Sequence, residues 1–136
     1  MFNLSQESFG IGVDIESVTR FSTPEIAENA PLLDKVFTKK ELAYCYANQL
    51  PEQHLAVRFA GKEAIIKALA NITDDFVKYH DIEIINNTRG IPYARIIRKG
   101  FNHLRIHLSL SHAQGMALAF AVVIRLNKRT SKLTRS

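Results

Sequence analysis

A long apolar helix is the feature of this sequence that most constrains its fold. From about Gln53 to Ala70 the residues are good helix formers, and this segment contains no proline after Pro51. The chain has 136 residues, which is enough for one ordinary domain and too few for two independent cores. The helix is therefore predicted to belong to a single small domain.

Short strands are predicted on both sides of this helix in the sequence. Residues 9–14 form an apolar segment that ends in acids, and residues 82–85 and 94–97 flank a turn rich in Asn and Gly. Residues 105–111 alternate between polar and apolar, and 116–124 are continuously apolar, which predicts two antiparallel strands joined through residues 112–115. The predicted fold class is α+β, with a small antiparallel sheet packed against the long helix.

Shorter helices are predicted between the first strand and the long helix. Residues 17–29 have a polar helical pattern, in which Pro24 is expected to open a turn or a second short helix. Thr38 has the position of an N-cap, and Glu41 three residues later completes a capping box. This pair predicts a helix that runs through Leu42 and Tyr46.

The positive charge of the chain is concentrated at its C-terminus. Eighteen Lys and Arg against 13 Asp and Glu give a net charge of +5, which invites a nucleic-acid partner. Residues 125–136 hold five of the basic residues and no acid, so residues 1–124 are balanced at 13 against 13. We therefore predict a domain over 1–124 and a flexible basic tail over 125–136.

A nucleic-acid binding module is the main alternative from another functional class. Phe59, Phe101 and Phe120 fall in apolar core patterns, and no stacking motif interleaves them with cations. We therefore predict no nucleic-acid partner.

Cysteine usage and hydropathy predict a cytoplasmic protein without a membrane anchor. Cys45 is the single cysteine, so no internal disulfide forms, and no Cys/His spacing is typical of a zinc site. The N-terminal residues lack the basic start and apolar run of a secretory signal, and the longest apolar stretches are shorter than a membrane span.

Two groups of charged residues have the composition of a phosphate or metal site. Asp14 and Glu16 follow an apolar strand and share one side if the chain stays extended, which suits Mg²⁺; the alternative is two solvated acids at a helix N-terminus. Glu63 and Lys67 lie one turn apart on the long helix. The alternative for them is an exposed pair worth only about 0.3 to 0.5 kcal/mol.

A third polar cluster ends the strand at 105–111. Ser109, Ser111 and His112 are candidates for a phosphate contact or for proton transfer, against the alternative of turn-forming residues at a strand end. Adjacent strand residues point to opposite faces, so Ser111 and His112 are poorly placed to act as a nucleophilic pair.

Together these segments resemble the 4'-phosphopantetheinyl transferases, and most closely the short holo-acyl-carrier-protein synthases. The matching stretches are GIGVDIESVTR at 10–20, VFTKKELAYC at 36–45, RFAGKEAIIKAL at 58–69, NTRGIPY at 87–93 and LSLSHAQGMALAFAVVI at 108–124. Their order and approximate spacing are those of the family, and they span most of residues 9–124.

The resemblance implies the transferase fold and a Mg²⁺-dependent reaction. In that reaction 4'-phosphopantetheine moves from coenzyme A to a serine of apo acyl carrier protein, which releases adenosine 3',5'-bisphosphate. Asp14 and Glu63 match the family's metal ligands, and Glu16 resembles a third ligand of the longer surfactin-type enzymes. Lys67 matches a lysine that binds pyrophosphate or stabilises the leaving group. The resemblance leaves Glu63 and a metal-bound water as alternative acceptors of the serine proton.

The resemblance also implies residues for binding the nucleotide and the carrier. The coenzyme A contacts that it implies are Arg58, Lys62, Lys67, Gly90, Pro92, Ser111 and His112. Arg20 resembles the arginine that meets the acidic carrier protein. Two departures are an isoleucine at position 91, where a basic residue is frequent, and the segment 70–81, which replaces a short glycine-containing turn.

The length of the chain implies self-association. The surfactin-type enzymes build one site between two similar halves, and this chain resembles one half. The short synthases are homotrimers with sites between subunits, so we expect the segment 109–112 of one subunit to face Asp14 and Glu63 of the next.

Overall fold

A computed structural model of the chain describes residues 8–126. The helices are α1 (Pro24–Ala27), α2 (Ala30–Val36), α3 (Lys39–Tyr46) and α4 (Pro51–Leu69). The strands are β1 (Phe9–Ser17), β2 (Ile82–Asn86), β3 (Pro92–Ile96), β4 (Leu104–Ala113) and β5 (Met116–Arg125). Two 3-10 turns, Val18–Ser22 and Tyr79–Asp81, follow β1 and precede β2.

The strands form two antiparallel sheets. The larger has the order β1-β5-β4, and the smaller is the β2-β3 hairpin. The long helix α4 packs against the inner face of the larger sheet and contacts the hairpin at its side. The predicted α+β fold is therefore confirmed.

The two glycines of β1 bring this strand into direct contact with the backbone of α4. A Cβ added at Gly10 would overlap the carbonyl oxygen of Ala68, and one added at Gly12 would overlap the carbonyl oxygen of Ala64. Since side chains alternate along a strand, Asp14 and Glu16 share the face of these glycines. The glycines therefore place the Asp14 carboxylate beside α4, with Glu16 following it on the same face.

The core lies on two sides of α4. One cluster fills the space between α4, the inner face of the larger sheet and the hairpin; its members include Ala64, Ile65, Ala68, Ile82, Ile84, Ala119, Ala121 and Val123. The other lies between the N-terminal half of α4 and the segments before it; its members include Phe21, Leu33, Phe37, Cys45, Leu55 and Phe59. Helix α4 is therefore covered on most of its surface, as its apolar composition requires.

Most predicted elements are present, with shifted ends. Helix α4 and the hairpin agree with prediction, and Thr38 caps α3 with both hydrogen bonds of the capping box. Pro24 opens a second short helix as expected. Strand β1 continues three residues past the predicted end at Asp14, because residues 14–17 pair with residues 116–119 of β5.

The turn between β4 and β5 is shorter than predicted. Only Gln114 and Gly115 connect the strands, with φ angles of 53° and 76°. Left-handed values at both positions are those of a two-residue type I′ turn, whose twist matches that of the flanking strands. His112 and Ala113 therefore belong to β4 and not to the turn.

Two further expectations differ from the structure or lie outside it. Helix α2 was not predicted, although Asn29 caps it by accepting a hydrogen bond from the N–H of Leu32. The predicted tail over 125–136 lies outside the described residues, except that Arg125 ends β5 and Leu126 follows it. No helix within residues 8–126 combines the length and the hydropathy that a membrane span requires.

Two of the three phenylalanines that were expected in the core are buried. Phe59 and Phe101 are buried, whereas Phe120 is 46% exposed, so its prediction as a core residue was wrong. Phe120 lies on the outer face of the larger sheet, because the inner positions of β5 are occupied by alanines that fit under α4.

Replacing Gly12 by alanine should disrupt the contact between β1 and α4. The new methyl group meets helix backbone that cannot move aside, so we expect the free energy of unfolding to fall by about 2 kcal/mol or more. Urea denaturation followed by circular dichroism, at one fixed protein concentration, measures this loss.

Gly61→Ala is the matched control for this substitution. Its methyl group would meet the end of the Ile84 side chain at 2.6 Å, and that end can rotate away. The gain in helix propensity of about 1 kcal/mol offsets part of the crowding. Equal, small losses in both variants would contradict the proposed backbone contact.

Candidate active site

Asp14 and Lys67 form the centre of a charged site where β1 crosses α4. The ammonium of Lys67 donates to Asp14 Oδ1 at 3.2 Å and to the carbonyl oxygen of Val13 at 3.0 Å. Lys67 is half exposed, whereas the Asp14 carboxylate is largely covered. The lysine is therefore anchored to β1 while its charge still faces solvent.

The second oxygen of Asp14 has no hydrogen-bond partner among the residues that the structure describes. Asp14 Oδ2 is buried and accepts no hydrogen bond within residues 8–126. An unsatisfied buried carboxylate oxygen is costly in the absence of a ligand, and it is a group to which a hard cation binds. This oxygen is therefore the best candidate for a ligand contact in the site.

Glu16 lies beside Asp14 and pairs with an arginine. Its Oε2 accepts a hydrogen bond from Arg20 at 3.1 Å. Burial raises the pKa of Glu16 and the nearby Asp14 carboxylate raises it further, while Arg20 lowers it. The guanidinium of Arg20 also lies over the ring of Phe59 at 5.2 Å. Glu16 thus adds negative charge next to Asp14 and fixes Arg20 at the rim.

Glu63 reaches the site from α4 and is held by a tyrosine. The hydroxyl of Tyr79 donates to Glu63 Oε1 at 2.6 Å. This hydrogen bond and partial burial raise the pKa of Tyr79 to about 12, so the phenol is protonated at neutral pH. The Asp14 carboxylate contributes to the same rise in the pKa of Tyr79.

The three carboxylates predicted as metal ligands are not gathered into one preformed cluster. Within residues 8–126 no group of three or more His, Cys, Asp or Glu side chains is arranged to hold a metal ion. The reason is visible in the partners of each acid, since Asp14 bonds Lys67, Glu16 bonds Arg20 and Glu63 bonds Tyr79. The donor set nevertheless suits Mg²⁺ through the open oxygen of Asp14.

Lys62 does not reach the site, which corrects its prediction as a nucleotide contact. Its side chain is 0% exposed, and its ammonium donates to Glu41 Oε1 at 2.7 Å and to the carbonyl oxygens of Tyr79 and Ile82. An ammonium has three donors, so none remains for a ligand. Burial lowers the pKa of Lys62, and Glu41 opposes that shift.

Lys62 has a structural role instead. Glu41 also accepts hydrogen bonds from the N–H groups of Thr38 and Ile84, which joins α3 to β2. The ammonium of Lys62 pairs with Glu41 and also donates to the carbonyl oxygen of Tyr79, so it links the turn Tyr79–Asp81 to α3. The network therefore determines where the Tyr79 side chain lies.

The other residues predicted to bind the nucleotide lie on a different side of α4. Arg58 is buried, with its guanidinium 4.3 Å from the ring of Tyr44 and one N–H bonded to Asn86 Oδ1 at 3.3 Å. Its Nε is buried without a hydrogen-bond partner within residues 8–126. Gly90, at φ 78°, and Pro92 belong to the turn and strand that follow Asn86. These residues form a second group, apart from Asp14 and Glu63.

His112 and Ser111 lie on opposite faces of β4, as predicted. Ser111 is opposite Leu118 on the outer face, whereas His112 is opposite Ala117 on the inner face. Burial lowers the pKa of His54, and the charge of Arg58 lowers it further. The sheet register separates His112 from Glu16 by the intervening strand β5, or about 10 Å.

Sequence reasoning missed Tyr79 and His54. Tyr79 lies in the segment that departs from the family pattern, and its partner Glu63 is 16 residues away, so no local spacing connects them. His54 precedes Arg58 by one helical turn, which was the available signal. The site as observed combines an open carboxylate oxygen, an anchored ammonium and a second carboxylate, the groups needed to hold a phosphate with a cation.

Comparisons with known proteins identify the family of this chain. The family model described as 4'-phosphopantetheinyl transferase superfamily matches residues 10–122. A holo-acyl-carrier-protein synthase of Thermodesulfovibrio yellowstonii is 41% identical over 114 residues, which cover 84% of this chain and 96% of that protein. One from a Geobacter species is 36% identical over 123 residues, covering 86% of this chain and 98% of its own length.

A solved structure shares the fold. The holo-acyl-carrier-protein synthase of Bacillus anthracis in complex with CoA (3',5'-ADP) superposes with a TM-score of 0.72 at 27% identity. The match covers 88% of this chain and 99% of that one. The resemblance drawn from the motifs is therefore confirmed, and the chain belongs to the 4'-phosphopantetheinyl transferase superfamily.

Proposed function

We propose that this protein transfers 4'-phosphopantetheine from coenzyme A to a serine of an apo acyl carrier protein. The observation that carries the proposal is the buried Oδ2 of Asp14, which lacks a hydrogen-bond partner in the described residues and lies beside the ammonium of Lys67. A relative with this fold has been solved with CoA, and curated relatives are named for this carrier. These similarities support the substrates.

The reaction is a phosphoryl-type transfer between two oxygens. The serine oxygen of the carrier attacks the phosphorus that bears the pantetheine arm, and the bond from that phosphorus to the bridging oxygen breaks. Adenosine 3',5'-bisphosphate leaves with the bridging oxygen, and the serine loses its proton. The protein must position the serine and neutralise the pyrophosphate, which are the main demands of such transfers.

In this proposal Asp14 and Glu63 hold Mg²⁺, and Glu16 strengthens the negative charge beside them. The fit rests on Asp14 Oδ2, which is buried without a partner in the described residues. Bound Mg²⁺ supplies positive charge to the oxygens of the pyrophosphate. Either Glu63 or a water held beside it accepts the serine proton.

Lys67 stabilises the leaving group. Its bonds to Val13 and Asp14 fix the ammonium at the end of a flexible side chain, so little conformational entropy remains to be lost when a phosphate binds. Because Lys67 is half exposed, its charge is accessible to coenzyme A. Arg58, Gly90, Pro92, Ser111 and His112 are proposed to bind the nucleotide end.

Arg20 is proposed to meet the acidic surface of the carrier. Its side chain is 54% exposed, and its guanidinium is held between Glu16 and the ring of Phe59. A cation fixed at the rim of the site steers and orients an acidic partner more effectively than a freely rotating one.

The cytoplasm is the proposed compartment, and Cys45 is a buried free thiol.

Self-association into a homotrimer is proposed to complete the site. Large apolar side chains cover the outer face of β1 and β5 and are exposed in the single chain; they are Phe9, Ile11, Val13, Ile15, Met116, Leu118 and Phe120. A continuous exposed surface made of so many large apolar side chains is typical of a subunit interface.

The division of the predicted site residues supports the same conclusion. Asp14 and Glu63 lie on one side of α4, and Arg58 with the hairpin turn lies on another. A neighbouring copy whose segment 109–112 lies against Asp14 and Glu63 would bring the two groups together.

Transfer is tested directly by the mass of the carrier. After incubation with coenzyme A and Mg²⁺, an apo carrier protein should gain the mass of one phosphopantetheine. Glu63→Ala should reduce the rate by at least about 100-fold, because it removes a cation ligand and one of the two candidate proton acceptors. A metal chelator should have the same effect.

Glu28→Ala is the matched control, since Glu28 is an exposed acid outside the charged site. It should transfer at the rate of the unaltered protein. No mass gain with any of several apo carriers would contradict the proposed function.

A charge placed on the outer face tests the assembly. Phe120→Asp should convert the trimer to a monomer and abolish transfer, because a buried carboxylate without a partner opposes association. Light scattering coupled to size exclusion measures the mass.

Ile97→Asp is the control, since Ile97 and Phe120 are both 46% exposed and Ile97 lies beyond β3, away from the outer face. It should remain trimeric and active. A monomeric Phe120→Asp protein with full activity would contradict assembly as a requirement.

A further inference from the structure

We propose that Tyr79 is a positioning residue that orients the Glu63 carboxylate for cation binding through its hydroxyl hydrogen bond. The bond from the Tyr79 hydroxyl to Glu63 Oε1 is 2.6 Å long and joins the turn before β2 to the middle of α4. This inference rests on the proposed function, because it takes Glu63 as a ligand of Mg²⁺.

Tyr79 is fixed from three directions. Its carbonyl oxygen accepts a hydrogen bond from Lys62 at 2.8 Å, and its ring packs against Phe59 with centroids 5.2 Å apart. The turn that carries it is closed by the N–H of Lys78, which donates to Asp81 Oδ2 at 2.9 Å. A donor that is itself immobile can hold a carboxylate in one orientation.

The hydrogen bond from Tyr79 also keeps Glu63 from pairing with Lys67. Glu63 precedes Lys67 by four residues, which is the favourable order for an ion pair along a helix. In the structure Lys67 pairs with Asp14 and Glu63 pairs with Tyr79. Without the hydroxyl, Glu63 is free to turn toward Lys67, which would draw the lysine from Asp14 and neutralise a metal ligand.

The hydroxyl contributes separately from the aromatic ring. Phenylalanine at position 79 would keep the contact with Phe59 and the backbone bond from Lys62, and would remove only the bond to Glu63. Tyr79→Phe is therefore the substitution that isolates the positioning role. Tyr46→Phe is its control, because it removes the same hydroxyl from an exposed tyrosine at the end of α3.

The test measures Mn²⁺ binding by electron paramagnetic resonance of the free ion, in the full chain and in the presence of coenzyme A. Tyr79→Phe should raise the dissociation constant for Mn²⁺ about tenfold, which is the lower end of the usual effect of losing a hydrogen bond to a metal ligand. Tyr46→Phe should leave it within twofold. A thermal melt of each variant reports any loss of folding separately.

A double substitution shows whether Tyr79 acts through Glu63. In a Glu63→Ala background, adding Tyr79→Phe should change the Mn²⁺ dissociation constant by less than twofold, because the group that the hydroxyl orients is gone. A purely structural role of the hydroxyl would give the same loss with and without Glu63.

The outcomes separate the two proposals. An unchanged dissociation constant in Tyr79→Phe, an equal effect in the Glu63→Ala background, or no Mn²⁺ binding by the unaltered protein would overturn the positioning role. Failure of the unaltered protein to modify any carrier would overturn the proposed function, and the Mn²⁺ constants would still report on Tyr79.

Discussion

The contact between β1 and α4, with no side chain between the two backbones, is the constraint on which the charged site depends. Gly10 and Gly12 lie against the carbonyl oxygens of Ala68 and Ala64, and larger residues would force the strand away. Because Asp14 is the next position on the same face, its carboxylate arrives beside the helix with one oxygen bonded to Lys67. The position of the acid thus follows from the two glycines that precede it.

The same close approach explains the composition of β5. The positions of this strand that face α4 are alanine at 117, 119 and 121, and the alternate positions are large apolar residues. Small residues inside let the sheet lie near the helix, whereas the large ones are left on the outer face. One packing requirement therefore accounts both for the site and for the apolar surface assigned to self-association.

A buried ion pair holds the segment that carries Tyr79 in place beside α4. Glu41 and Lys62 are both fully buried, and each bonds backbone groups of the segment 79–84 as well as its partner. A buried ion pair is tolerated when its remaining hydrogen bonds are satisfied in this way. The pair links the capping box of α3 to Tyr79, and so to the orientation of Glu63.

The sequence predicted the elements whose signals are local. The capping box of Thr38 and Glu41, the helix α4 and the alternation that puts Asp14 and Glu16 on one face depend on residues within a few positions of one another. The second role of Glu41 and the burial of Lys62 depend on partners 17 to 43 residues away, so no local pattern reveals them.

The faces of β5 illustrate a different limit of prediction. The run 116–124 is apolar at every position, so hydropathy alone does not show which side faces the helix, and Phe120 was assigned to the core. Only side-chain size distinguishes the two faces, and its meaning depends on the glycines of β1. The resemblance to a family supplied the roles proposed for Asp14, Glu63 and Lys67, which no spacing within the chain would have suggested together.

A crystal structure with coenzyme A and Mn²⁺ tests the central claim most directly, because the anomalous signal of Mn²⁺ locates the cation. The account predicts the cation in contact with Asp14 Oδ2 and Glu63, the pyrophosphate at Lys67, and the nucleotide end against Arg58 or His112 of a neighbouring copy. A cation bound away from Asp14, or coenzyme A held entirely by one chain, would contradict it.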